Sequence, residues 1–280
     1  MTAPAADATL MRHAVDLARE AGQLTLEGFR TDRVVPLRKG DGSTVTETDL
    51  AVERFLRERI EADHPDDAIV GEELPDRPGT SGRTWVLDPV DGTESYARGV
   101  VTYSTMVAVL DEHGPAIGVI CSPAVGETVW AGRGLGCWWD DRAAHVSERT
   151  EATGSFVATS DQEDWPLDAW LEARRAGVHV RDWGNAYGVG LVVTGRIDAF
   201  VDYGLAVWDI APMPVLATEA GGRYSALDGT ERLDGRIGLV SNGAIHDELL
   251  SILRMGVRDI EAEPTWSTGP DLVGDVRSEM

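Results

Sequence analysis

Trp85-Val-Leu-Asp-Pro-Val-Asp-Gly-Thr93 is the most informative stretch of this 280-residue sequence. Its apolar start predicts a strand over Arg83–Leu87 that ends at Asp88. Pro89 cannot donate to a ladder, so it is expected to stop the sheet and turn the chain. Asp91 follows, and Gly92-Thr93 leads into a predicted helix over Glu94–Ala97. Two carboxylates around a proline turn can converge on one cation, and the Val90 carbonyl between them is a further hard oxygen. Oxygen-only ligation suits Mg²⁺. The N–H groups of Gly92 and Thr93, at a helix start, suit a phosphate oxygen. Alone, this pattern also describes an Asp-rich turn capping a helix.

Its companions decide between the two. Gly71-Glu72-Glu73 follows a predicted strand at Ala68–Val70, which sets Glu72 where it can bridge two metals. Trp208-Asp209-Ile-Ala211 opens a predicted helix. Thr44-Val-Thr-Glu-Thr-Asp49 offers Asp49 as a base for a water, with Thr93 orienting it. Each of these, taken singly, also reads as an acidic loop or a helix cap.

The bulk numbers agree with a globular protein: 42% hydrophobic and 26% charged residues. The formal net charge of −23 repels nucleic acid and anionic lipid. Clustered carboxylates that hold divalent cations would invert that field locally. Cys121 and Cys137 form no CxxC pair or zinc spacing and read as reduced thiols. No apolar run is long enough to span a bilayer. The first residues lack a basic and apolar leader, so a cytoplasmic protein is expected.

Periodicity predicts helices over Thr9–Arg30 and Asp49–His64, the second capped by Thr48 or Asp49. Ser104–Leu110 and Ala116–Cys121 read as a hairpin, with a further strand at Thr128–Ala131. Beyond it come a strand at Phe156–Thr159 and helices at Leu167–Ala176 and Trp183–Thr194. A strand at Asp198–Val201 precedes a helix at Ile210–Ala220. A strand at Ile237–Val240 and a helix at Ala244–Met255 complete the pattern. No internal repeat is present. The expected organisation is an α/β chain in two halves. Residues 1–145 carry most metal ligands, 146–260 complete the site, and 261–280 form a flexible tail.

Thr46-Glu-Thr-Asp49, Gly71-Glu-Glu73, Trp85–Thr93 and Trp208-Asp-Ile-Ala211 occur in one order along the chain. In this set the sequence resembles the inositol monophosphatase superfamily, from about Leu10 to Met255. Asp91-Gly-Thr-Glu-Ser-Tyr-Ala-Arg-Gly99, Trp183–Gly188, Gly195–Asp202 and Ser241–His246 are most similar to its bacterial histidinol-phosphate phosphatase branch. The resemblance implies an αβαβα sandwich of the α+β layered kind and a homodimer. It implies two or three Mg²⁺ held by Glu72, Asp88, Asp91, Asp209 and the Val90 carbonyl. Asp49, Thr93 and Glu72 would be catalytic, and Glu73 would support them. The substrate, a small phosphate ester, would meet Gly92, Thr93, Glu94, Arg181, Asn185 and Asp202, with Trp183 and Arg98 as further candidates.

Histidinol phosphate is the expected substrate. Inositol 1-phosphate or another sugar or polyol phosphate is the alternative, and a binding protein that has lost the chemistry is a second. Two departures bear on this choice: Glu94 stands where that branch is expected to have a basic residue, and Asn185 where it has Asp. A haloacid-dehalogenase-type mechanism needs its two aspartates two apart, and Asp88 and Asp91 are three apart. A serine hydrolase would need a GxSxG motif, which is missing.

Overall fold

The computed structural model describes residues 3–31, 36–40 and 42–254. Its first helix, α1 (Ala8–Gly28), starts at Asp7, whose carboxylate accepts from the amides of Thr9 and Leu10. A two-residue pair, β1 (Leu37–Arg38) and β2 (Thr44–Val45), forms a small hairpin before α2 (Glu47–Asp63). The cap of α2 is neither Thr48 nor Asp49. Thr46 caps it, and Asp49 sits three residues in and bonds back to the Thr46 amide, a reciprocal capping box.

A seven-stranded sheet follows, in the order β3 (Ala68–Gly71), β4 (Thr84–Asp91), β5 (Ser104–Asp111), β6 (Gly114–Ser122), β7 (Glu127–Gly132), β8 (Gly136–Trp139), β9 (Arg142–Ala143). The short helix α3 (Thr93–Ala97) lies between β4 and β5. Only β3 and β4 run parallel; the other neighbours are antiparallel. Pro89 does not end β4, contrary to the sequence expectation. The strand runs on to Asp91 through a bulge, with Asp88 opposite Met106 and Asp91 opposite Ser104. A bulge leaves a residue outside the ladder, so a missing N–H is tolerated there.

The second sheet has five strands, ordered β11 (His179–Arg181), β10 (Phe156–Ala158), β12 (Ala199–Tyr203), β14 (Ile237–Ser241), β13 (Arg223–Ser225). The helices of this half are α4 (Leu167–Arg175), α5 (Ala186–Val193), α6 (Val207–Ile210), α7 (Met213–Glu219) and α8 (His246–Arg254). The helix expected from Trp183 starts only at Ala186. The helix expected over Ile210–Ala220 is two helices, because Pro212 and Pro214 remove amide donors where α7 begins. The expected tail lies outside the described residues.

Side chains alternate across a strand, so each sheet buries two faces. Trp85 and Leu87 of β4 pack with Val107, Val109, Ile117 and Val119 against α1 and α2. The opposite face meets α5 and α7, which also pack on Ala158, Phe200 and Val240 of the second sheet. The far face of that sheet, through Val157, Ala199, Val201 and Leu239, packs on α4 and α8. The layers therefore run α, β, α, β, α, as expected. A fully buried side chain of this size contributes roughly 1.5–3 kcal/mol. Both cysteines are free and buried. No described helix is long and apolar enough to cross a membrane.

Candidate active site

The site lies where β4 ends against the middle layer. Val86 packs toward the first helical turn of that layer, with Ala211 and Trp208. Strand alternation sends Asp88 the same way, and α6 there carries Asp209. The bulge then turns Asp91 to the same place. One oxygen each from Asp88, Asp91 and Asp209 lie within 4.8 Å of one another. Two of these groups are oriented by backbone donors: the Ala186 amide, opening α5, reaches Asp91 at 2.6 Å, and the Ala206 amide reaches Asp209 at 2.6 Å.

Three carboxylates so close resist ionisation. Burial, and then Glu72, Asp91 and Asp209, push Asp88 well above the usual range. Burial and Asp209 do the same to Asp91. Burial takes Asp209 to about 7, with Glu72 adding to it. A divalent cation resolves this repulsion, and an all-oxygen donor set suits Mg²⁺. The residues present therefore fit the ion.

Asp49 and Thr93 form the neighbouring unit. Thr93 Oγ1 is 2.9 Å from Asp49 Oδ1 and 3.0 Å from the Val90 carbonyl oxygen. The second oxygen of Asp49 accepts from the Thr46 amide and hydroxyl. Asp49 is wholly buried, and burial raises its pKa against the opposing hydrogen bonds.

Glu72 and Glu73 follow β3, and the Lys39 ammonium bridges them at 2.8 and 2.7 Å. Burial raises Glu72, and burial with Glu72 brings Glu73 to about 7. Burial lowers Lys39, but the two carboxylates outweigh it and the net shift is upward. The loop itself is held by Glu53, which accepts from the amides of Glu73 and Leu74 at 2.7 and 3.1 Å and from Arg57 at 2.7 Å. A Cβ on Gly71 would sit 2.2 Å from Glu53 Oε1, so glycine is required there. Sequence reading missed Glu53 and Lys39. The available signal for Glu53 was a charged pair, Glu53 and Arg57, on the face of α2 that also carries Val52, Leu56 and Ile60.

Farther from the carboxylates, Gly92 has φ +79° and a Cβ there would meet Asn185 Nδ2 at 2.4 Å. Asn185 donates to Ser95 Oγ and the Thr102 carbonyl, both at 3.3 Å, so it stitches the two halves together beside the site. Asp202 is buried next to the Ser160 hydroxyl, and Thr159 donates to it at 3.2 Å. Burial pushes it up to about 6. Glu94 takes the Thr44 hydroxyl, Arg98, and Arg38 at 3.0 Å. Two arginines thus flank the position where a basic residue was expected. Arg181 and Trp183 instead make their ring contacts on Phe156 of β10, the guanidinium 5.5 Å from its centre and the indole stacked at 6.1 Å. His246 is fully buried between Ser225 and Ser241, and burial lowers it to about 4.

The model of the family described as "Inositol monophosphatase family" matches residues 7–257. The histidinol-phosphatase of Chlorobaculum parvum is 37% identical over 88% of this chain and 97% of its own length. The histidinol-phosphatase of Mycobacterium tuberculosis is 33% identical over 87% and 97%. Among solved structures, the Thermotoga maritima IMPase superposes with a TM-score of 0.80 at 27% identity, covering 89% of this chain and 98% of the other. The match spans nearly all of the described fold and both halves of the site: the chain is a phosphatase and belongs to the inositol monophosphatase family.

Proposed function

We propose that this protein hydrolyses a small phosphate monoester with Mg²⁺ and that L-histidinol phosphate is its substrate. The observation that carries the chemistry is the buried Asp88–Asp91–Asp209 cluster beside the Thr93–Asp49 pair. The observation that favours the substrate is that both curated relatives described above are named histidinol-phosphatases.

Glu72, Asp88, Asp91, Asp209 and the Val90 carbonyl would hold two or three ions, which supply Lewis acidity toward the phosphoryl oxygens and the attacking water. The remaining work falls to the chain. Thr93 gives its proton to Asp49 and so offers lone pairs to a water. The water proton passes along this pair to Asp49 as its oxygen attacks phosphorus and the P–O ester bond breaks, and the departing alkoxide takes a proton from solvent water to leave as the alcohol. Asp49 can take that proton because burial has raised its affinity for one. The Gly92 and Thr93 amides hold a phosphate oxygen. Asp202 receives the organic part, and its carboxylate can accept from an amine. Glu73 shares the Lys39 ammonium with Glu72 while no ion is bound.

An inositol monophosphate is the second reading. It is favoured by the likeness to the Thermotoga maritima IMPase, and Asp202 can accept from a hydroxyl as well as an amine. A retired binding protein would lack part of the donor set, and all four carboxylates are present.

The test is phosphate release from L-histidinol phosphate, inositol 1-phosphate and a sugar phosphate, with and without Mg²⁺, for the wild type and Asp91→Asn. Mg²⁺-dependent release that is strongest with histidinol phosphate and lost in the variant is expected. Preference for inositol 1-phosphate would select the second reading. Release that persists without Mg²⁺ or in Asp91→Asn would overturn the mechanism.

A further inference from the structure

The sequence contains a single lysine. Every other one of its 25 Lys and Arg residues is arginine, and the exception is Lys39. That side chain reaches the glutamates of the candidate site. Its Nζ lies 2.8 Å from Glu72 Oε1 and 2.7 Å from Glu73 Oε1.

The two sides of this contact are held differently. Glu72 and Glu73 follow a paired strand, and the Glu73 amide is fixed by the buried Glu53 carboxylate at 2.7 Å. Lys39 stands just after β1, in a hairpin whose strands pair at only two positions, Leu37 with Val45 and Arg38 with Thr44. Its turn is closed by Lys39 N to Ser43 O at 2.9 Å and Gly42 N to Lys39 O at 3.0 Å. Gly42 has φ +90°. The glutamates therefore stay where they are, and the lysine comes to them on a long stem.

The choice of cation has a physical consequence. A guanidinium grips a carboxylate in a fixed fork and holds it, whereas an ammonium is a compact charge with rotatable donors that changes partners readily. A chain that otherwise uses arginine places the more exchangeable cation against Glu72.

We propose that Lys39 is a tethered counter-cation: it neutralises Glu72 and Glu73 while no divalent ion is bound, and a divalent ion takes Glu72 from it. This rests on the reading of Glu72 as a metal ligand. Residue 39 then sets the affinity of the site for Mg²⁺, because each binding event includes the loss of the Lys39–Glu72 ion pair. Removing the ammonium removes a competitor. A guanidinium at the same place competes at least as well.

Isothermal titration calorimetry of Mg²⁺ at pH 8.5, on metal-free wild type, Lys39→Met and Lys39→Arg, reads this directly. The Met variant is expected to bind Mg²⁺ about tenfold more tightly, the scale of one partly buried ion pair. The Arg variant is expected to bind no more tightly than wild type. A Met variant that binds Mg²⁺ with unchanged or weaker affinity overturns the proposal. A second measurement needs no variant. Lys39 carries the only side-chain amine, so an amine-reactive ester and peptide mass mapping report on it alone. Saturating Mg²⁺ is expected to speed its labelling several-fold by releasing the ammonium from Glu72, and an unchanged rate overturns the proposal. If wild type binds no Mg²⁺ at all, the metal reading falls and takes this inference with it. Normal Mg²⁺ binding with an indifferent Lys39 sinks the inference alone.

Discussion

Thr93 Oγ1 sits 2.9 Å from one oxygen of Asp49, while the other oxygen of that carboxylate accepts from the Thr46 amide and so closes the capping box of the helix from which it projects. A single side chain thus anchors α2 and faces the reacting end of the site. The capping-box partner and the base are not rival interpretations of Asp49; each uses a different oxygen. The Thr93 hydroxyl is also 3.0 Å from the Val90 carbonyl, so its one proton is divided between two acceptors.

This arrangement predicts the outcome of Asp49→Asn. The amide keeps a carbonyl oxygen for the Thr46 N–H but cannot take up a proton. Phosphate release should fall by about 100-fold or more, the usual scale for losing a general base. Mg²⁺ affinity should stay within about twofold. A variant with near wild-type turnover would remove Asp49 from the proton path.

Asp209→Asn separates metal binding from folding. The Ala206 amide retains an acceptor, and one of three mutually repelling buried groups is neutralised. The metal-free variant should melt no lower than metal-free wild type at pH 8. The rise in Tm that Mg²⁺ gives wild type should largely disappear, since only binding to the native state stabilises it. A full Mg²⁺-induced rise in the variant would exclude Asp209 as a ligand.

The pH dependence of metal-free stability should run opposite to ordinary acid denaturation. Asp202 holds its proton to about 6, and Glu73 and Asp209 to about 7, in the folded chain. Their ordinary values are 3.8 for aspartate and 4.5 for glutamate. The native state therefore binds more protons than the unfolded state across this window. Stability from these groups is complete below about pH 4 and is lost as pH rises through 6 to 7. Melting curves from pH 5 to 8 should show Tm falling with pH, less steeply in Asp202→Asn, and nearly flat with saturating Mg²⁺. A metal-free Tm that climbs over this range would contradict the burial of these carboxylates.

Asn185 should not tolerate the acid that the family resemblance led us to expect there. Its amide donates to Ser95 Oγ and the Thr102 carbonyl, and a carboxylate in its place would face that carbonyl with no proton to give. Asn185→Asp should cost roughly 1–3 kcal/mol in denaturant unfolding. Gly92→Ala should also destabilise, through its φ of +79° and the 2.4 Å approach to Asn185 Nδ2. The double variant Gly92→Ala with Asn185→Ala should recover part of that loss, because the clash is gone while the backbone strain remains. Simple additivity of the two losses would argue against direct contact.

Local chemistry made much of this protein readable in advance. Asp88, Asp91, Glu72, Asp209, Asp49 and Thr93 lie in short motifs whose residue types admit few uses together. α1 and the β5–β6 hairpin carry long apolar repeats, so their positions follow from periodicity. Strands of two or three residues, such as β9, β11 and β13, have no such signal and exist because a neighbour supplies their hydrogen bonds. The motifs Gly195–Asp202 and Ser241–His246 were legible as a resemblance, yet their use emerges only in the fold. Asp198 accepts from Ser147 and the Phe156 amide, and Asn242 donates to the carbonyls of Ser147 and Arg149, tying the segment between the two sheets.

The residue types and their order, by themselves, determined that hard oxygen donors recur around an Asp-Pro turn in the motif order of a phosphatase family, and hence the class of reaction. Tertiary structure alone decided how those donors meet. Pro89 became a bulge instead of a strand end because β5 continues to pair on its far side at Ser104. Asp209 joined Asp88 across more than a hundred residues because two faces of β4 need two different helical layers to cover them. Lys39 came to Glu72 from a hairpin with no local reason to lie there. Periodicity and turn chemistry act over a few residues, whereas burial and charge pairing act between segments that only the packed layers bring within reach.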